Sequence, residues 1–162
     1  MRFHEHIALG APTVLLPAEN IDLTRWAVIA CDQFTSEPDY WEAVRRFVGG
    51  APSTLNLIFP EAFLGQPDEE ARIASIRAAM KDYLGRGVFR RAEGFVYVER
   101  RVGRGTRRGL LAALDLDAYD YSSNSTSLVR ATEGTILERI PPRVKIREGA
   151  PLELPHIMVL ID

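Results

Sequence analysis

Apolar and polar positions follow two rhythms along this chain. TVLLP (13–17) and WAVIAC (26–31) are short apolar runs with β-branched residues, and each predicts a buried strand. STLNLIF (53–59) is a further strand candidate, and HIMVLI (156–161), the most hydrophobic of these runs, predicts a buried strand at the end of the chain. The other rhythm is helical. Trp41, Val44, Phe47 and Val48 fall on one helical face. Ser36 reads as the cap of that helix, with Asp39 in capping-box spacing, and Gly49-Gly50 as its stop. The clearest helix covers 67–87. Pro67 and three acids fill its first turn, Ile73, Ile76, Met80 and Tyr83 form its apolar stripe, and Gly85 and Gly87 end it.

GFVYVERRV and RRGLLAALDL flank GRGT and predict a β-hairpin. DAYDYSSNSTS (117–127) is polar and reads as a loop. In RVKIREG the charged and apolar residues alternate like a strand, yet Pro141-Pro142 before it and Gly149 at its end favour a short helix over 142–149. Strands and helices thus alternate, with one hairpin between them. The expected class is α+β (mixed α/β), a mixed β-sheet with flanking helices. No internal repeat or low-complexity linker interrupts the pattern, so residues 1–162 are expected to form one globular domain.

Composition adds limits. A chain of 162 residues, 46% of them hydrophobic, buries roughly 70% of its unfolded surface and needs no staple. Its single cysteine, Cys31, cannot form an internal disulfide, which favours a reducing compartment. The net charge of −2 argues against bulk attraction to nucleic acid. No basic segment followed by an apolar run opens the chain, and no apolar run reaches the roughly 18 residues of a membrane span. A cytoplasmic location is the expectation.

Candidate chemistry gathers in LVRATEGTILERIPPRVKIRE (128–148). Arg130, Arg139, Arg143, Lys145 and Arg147 supply four guanidinium groups and one ammonium. Arginine forks match phosphate oxygens two at a time. On a helix, Arg143 and Arg147 lie one turn apart on one face. Thr132 and Thr135 flank Glu133-Gly134, where a glycine turn offers backbone N–H groups to an anion and Glu133 can accept a proton. The competing reading is a solvated surface on which Glu138, Glu148 and Glu153 pair with the arginines. Asp32 and Gln33 would sit where a strand turns into a helix, a usual ligand crevice; simple capping by Ser36 competes with that reading. VERRVGRGTRRG (98–109) is the densest basic run. It has no interleaved aromatics and reads as a solvated turn. His4 and His6 are too few to hold a metal, His156 reads as structural, and no phosphate-binding loop, dinucleotide motif or C-x-x-C is present.

WAVIACDQFTSEPDYW, PSTLNLIFPE and above all SLVRATEGTILERIPPRVKIREGAPLELPHIMVLID resemble the bacterial domain-of-unknown-function family 1015, across nearly the whole chain from about residue 14. Family members are longer, so the resemblance implies that this chain is the N-terminal part of a larger architecture and that its fold is incomplete relative to the full family. The family continues to an Asp-Gly-(Asn/His)-His motif similar to one in archaeal free-serine kinases, which share a fold with nuclease-like partition proteins and sulfiredoxin. Many members carry Pro-His-Glu-x-Thr where this chain has Ala131-Thr132-Glu133-Gly134-Thr135; the glutamate and second threonine match, and the Pro-His does not.

The resemblance implies a small-molecule kinase acting on a serine-like hydroxyl. Glu133 would be the catalytic base, with Arg130, Thr132 and Thr135 shaping the pocket, and a nucleotide or pyrophosphate with magnesium as donor. Two alternatives stay open. One is a non-catalytic module that binds an anion or a partner. The other is a partition-protein-like nucleic-acid binder, against which the net charge argues. Partners implied are a small-molecule substrate and, through the edge beside HIMVLI, a second copy in a homodimer or a missing C-terminal segment.

Overall fold

The computed structural model describes residues 3–4, 6–120, 122, 124–130, 137 and 140–154. HIMVLI lies outside them, as do Thr132, Glu133, Thr135, Arg139, Glu138 and His156. The class is α+β, with helices and several small antiparallel sheets. Its contacts divide the chain into two compact units. One comprises 1–16 and 90–134, the other 17–89 and 135–162.

The first unit is built of strands. Strands β1 (Phe3–His4) and β2 (Leu9–Gly10) pair antiparallel. Strand β3 (Thr13–Pro17) pairs with β4 (Phe89–Glu93). Strands β5 (Val96–Val102) and β6 (Gly105–Leu111) form the expected hairpin, and β7 (Ala113–Leu114) joins β2. The hairpin turn is Gly103-Arg104. Gly103 takes φ +56°, the left-handed region a tight hairpin turn needs. The single mixed sheet expected from the sequence is thus three small sheets among the described residues. TVLLP is a strand as expected, although it is half-buried.

The second unit is built of helices. Helix α1 (Leu23–Trp26) is short, capped by Asp22, whose carboxylate accepts from the Thr24 N–H at 3.0 Å and hydroxyl at 2.6 Å. Helix α2 (Pro38–Val48) follows, then α3 (Glu69–Gly85) and α4 (Ile140–Arg147). The core lies between them. Ile73, Ile76, Met80 and Tyr83 of α3 are buried, as their spacing predicts, against Trp41 and Val48 of α2. Phe47, expected on that face, is 60% exposed. Helix α4 meets the core through Ile146, with Ala150 and Leu152 beyond it.

Three expectations are corrected here. WAVIAC is not a strand. Trp26 closes α1, and 27–30 run on without regular structure. STLNLIF is not a strand either. Residues Thr54–Leu57 form a 3₁₀ turn capped by Ser53. Burial alternates along 53–59 as in a strand, but these backbone groups are anchored to the core instead of to a ladder. The Tyr83 hydroxyl accepts from the Ser53 N–H at 3.0 Å and from Asn56 Nδ2 at 2.8 Å, while the Thr54 hydroxyl donates to the Trp26 carbonyl at 2.7 Å. Ser36 does not cap α2. Glu37 holds the cap position and Pro38 the first helical one, where its missing N–H costs nothing.

Candidate anion-binding site

The second unit brings three of the sequence candidates, Arg143, Asp32 and Gln33, to one place through a residue that sequence reasoning missed. Glu61 follows Pro60 at the start of the 3₁₀ turn Glu61–Phe63. Its backbone N–H donates to the Cys31 carbonyl at 2.8 Å. Its carboxylate accepts from Arg143 Nη2 at 3.0 Å, with the Glu61 side chain 9% exposed and Arg143 52%. A nearly buried acid therefore holds one side of a half-exposed guanidinium, beside the turn that carries Asp32 and Gln33. Those two are exposed, and Gln33 Nε2 donates to Asp32 Oδ1 at 3.3 Å. The strand that was to position them is absent. The turn is closed instead by the Gln33 N–H on the Ala30 carbonyl at 3.1 Å.

The Cys31 thiol registers this arrangement. Burial pushes its pKa up, Asp32 and Glu61 push it further, and Arg143 pulls it back. Cys31 is held as a thiol, the less reactive form.

The rest of α4 is docked by its charges. Lys145 Nζ donates to Glu70 Oε1 at 2.6 Å, with Glu69 at 4.0 Å. That contact raises the Lys145 pKa and lowers that of Glu70. The Arg77 guanidinium donates to the Lys145 carbonyl. Arg147 Nη2 lies 2.7 Å from Glu153. Arg143 and Arg147 are one turn apart, as predicted, but each answers to its own carboxylate. The acids at the start of α3 were legible as helix-starting residues, yet nothing in the sequence marked them as partners of α4.

Arg130 belongs to the first unit. Its Nε donates to the Ser127 carbonyl at 3.1 Å, next to the bridge between Tyr119 and Val129. Glu133, Thr132, Thr135 and Arg139 lie outside the described residues. Among the described residues no group of three or more His, Cys, Asp or Glu side chains is placed to hold a metal, and no helix is long and apolar enough to cross a membrane.

Residues 15–162 match the family described as "Protein of unknown function (DUF1015)". The chain belongs to this family. The DUF1015 match takes in both halves of the Glu61 arrangement, the 31–33 turn and α4. It carries the family alone and brings no kinase with it. No curated protein and no solved structure matches the chain.

Proposed function

We propose that this DUF1015 chain binds the phosphate of a small molecule at the Arg143 guanidinium, in the service of phosphoryl transfer to an alcohol hydroxyl. One observation carries the binding half. Glu61 fixes Arg143 from one side and leaves the other N–H groups of a half-exposed fork for a ligand. Asp32 and Gln33, next to Cys31, supply short polar groups that suit a hydroxyl-bearing ligand.

The chemical half rests on the family resemblance: the Glu133 segment matches the family's Pro-His-Glu-x-Thr at the glutamate and second threonine, and Glu133 is given the part that an early glutamate plays as base in archaeal free-serine kinases. Glu133 takes the proton of the acceptor hydroxyl, the hydroxyl oxygen bonds to phosphorus, and the donor's bridging oxygen leaves with its electron pair. The donor is a nucleotide or pyrophosphate with magnesium. Arg130, Thr132, Thr135 and Arg139 belong to the same proposal. Transfer of this kind is mostly positioning and charge neutralisation, for which arginine is suited.

The test has two arms. In calorimetric titration of the full chain with inorganic pyrophosphate, Arg143→Gln should weaken binding by about tenfold, and Arg147→Gln, committed to Glu153, by less than about twofold. Equal losses, or no binding, remove Arg143 from the site. Phosphorus NMR with serine, ATP and magnesium then reads transfer. An active Glu133→Gln variant removes the base. A non-catalytic module is the second reading, favoured by the pairing of Lys145 and Arg147 with carboxylates of the chain itself. It expects pyrophosphate binding with no phosphoserine formed.

A further inference from the structure

The β5–β6 hairpin takes no part in that proposal, and it carries an unexplained cost. Its register sets Arg100 directly opposite Arg107. Like charges across an antiparallel pair destabilise it. Glu99 does not relieve them. It alternates to the other face, where it lies 3.5 Å from Arg108. Among the described residues Arg100, Arg101, Arg104 and Arg107 have no carboxylate partner.

The surroundings of that pair have a pattern. Val98 and Val102 lie on the same face, two residues to either side of Arg100. They face Gly109 and Gly105, so no side chain covers them from across the strand. Val98 is 46% and Val102 44% exposed. The face therefore reads apolar, cationic, apolar along β5. Among the described residues β5 and β6 pair only with each other, which leaves each a row of outward backbone N–H and C=O groups. A two-stranded ribbon of this kind is marginal alone in water.

We propose that the hairpin is a docking arm for an extended acidic segment of a protein partner, which adds as a third strand. Added beside β5, such a segment satisfies the free edge with main-chain hydrogen bonds and sets a carboxylate next to Arg100, in the cross-strand row that continues to Arg107. Its apolar residues, two positions to either side, cover Val98 and Val102. Charge complementarity selects the occupant: the hairpin strands and turn hold five arginines and one glutamate within a chain of net charge −2. A nucleic-acid backbone would use the arginines, but it would leave the valines and the strand edge unused.

The experiment is an anisotropy titration of the full chain with a short fluorescent peptide carrying Val-Thr-Glu-Thr-Val, against its Lys-for-Glu counterpart and a single-stranded oligonucleotide. The acidic peptide should bind, and binding should slow amide exchange along the outer edge of β5. Arg100→Glu is the decisive variant, because it turns the repulsive pair into Glu opposite Arg107 and so favours the hairpin. Peptide affinity should nevertheless fall by about tenfold or more. No binding of the acidic peptide overturns the proposal. So does affinity unchanged by Arg100→Glu, an oligonucleotide that binds as tightly, absence of new amide protection, or a dimer in sedimentation that Arg100→Glu dissolves.

Discussion

Arg143, Lys145 and Arg147 lie within two turns of α4, and each has a carboxylate within 3.0 Å. Arg100, Arg101, Arg104 and Arg107 crowd the hairpin as densely, and among the described residues none has one. In sequence the two stretches are alike: basic, interspersed with valine or isoleucine, and closed by glycine. What separates them lies elsewhere in the chain. The partners of α4 are Glu61, Glu70 and Glu153, and Ile146 ties that helix to a real core. Among the described residues the hairpin sets one acid, Glu99, beside five arginines, and none of its residues belongs to the core cluster. A basic run therefore says little by itself. The acids that the fold brings to it decide whether its charge is consumed or left for a ligand.

The difference in burial is the first thing to break. Trp41 is 1% exposed and Tyr97 60%. Trp41→Ala should destabilise the helical unit by about 3–5 kcal/mol. Tyr97→Ala should stay within about 0.5 kcal/mol. Urea denaturation followed by circular dichroism measures both, and a large loss from Tyr97→Ala would mean that the hairpin is covered after all.

Glu61 is the next point of attack. Glu61→Gln removes a nearly buried carboxylate from Arg143 and should cost about 1–2 kcal/mol, discounted for the water that reaches the guanidinium. Its sharper readout is Cys31. Loss of the Glu61 charge lowers the thiol pKa and speeds alkylation by iodoacetamide at fixed pH, whereas Arg143→Gln raises it and slows alkylation. Matching rates in the two variants would separate Cys31 from the pair.

How much of this was legible in the sequence varies with the kind of signal. The α3 stripe and the hairpin were readable because a period repeated over nearly three turns, or a glycine turn between two strands, admits few other structures. WAVIAC and STLNLIF were misread for a shared reason. A short apolar run fixes neither backbone form nor burial: STLNLIF alternates buried and half-buried positions without a ladder, and in WAVIAC Ala27, Ile29 and Ala30 are exposed. The form was set by Asp22 capping α1 and by the Tyr83 hydroxyl holding Ser53 and Asn56, a contact spanning 30 residues. The site was legible only by half. Arg143, Asp32 and Gln33 were singled out by residue type, but Glu61, which joins Arg143 to their turn, carried no local mark.

The Lys145–Glu70 contact predicts a pH signature at the junction of α3 and α4. The Glu70 pKa is lowered from its ordinary 4.5, so the pair contributes above that value and is lost as pH falls through the lowered one. The Lys145 pKa is raised from 10.5, so the contribution is complete below that value and is lost as pH rises through the raised one. Lys145→Ala should therefore melt below the wild type between about pH 5 and 10 and converge with it at both extremes. Both side chains are solvated, and the gap should be small. Arg107→Ala on the hairpin should show no such window.

The smallest effect has the opposite sign. Removing an α4 cation deprives a carboxylate of its partner, so stability falls. Removing a hairpin cation relieves Arg100 or Arg107 of its neighbour, so stability should rise. Arg100→Glu replaces repulsion by a cross-strand pair and should gain about 0.2–1 kcal/mol. Hydrogen exchange at the β5 and β6 amides reads that gain locally, where a global melt dominated by the Trp41 core would hide it. If Arg100→Glu brings no gain in protection, the two arginines already splay apart into water, and the charge of the hairpin is as inert as a solvated turn.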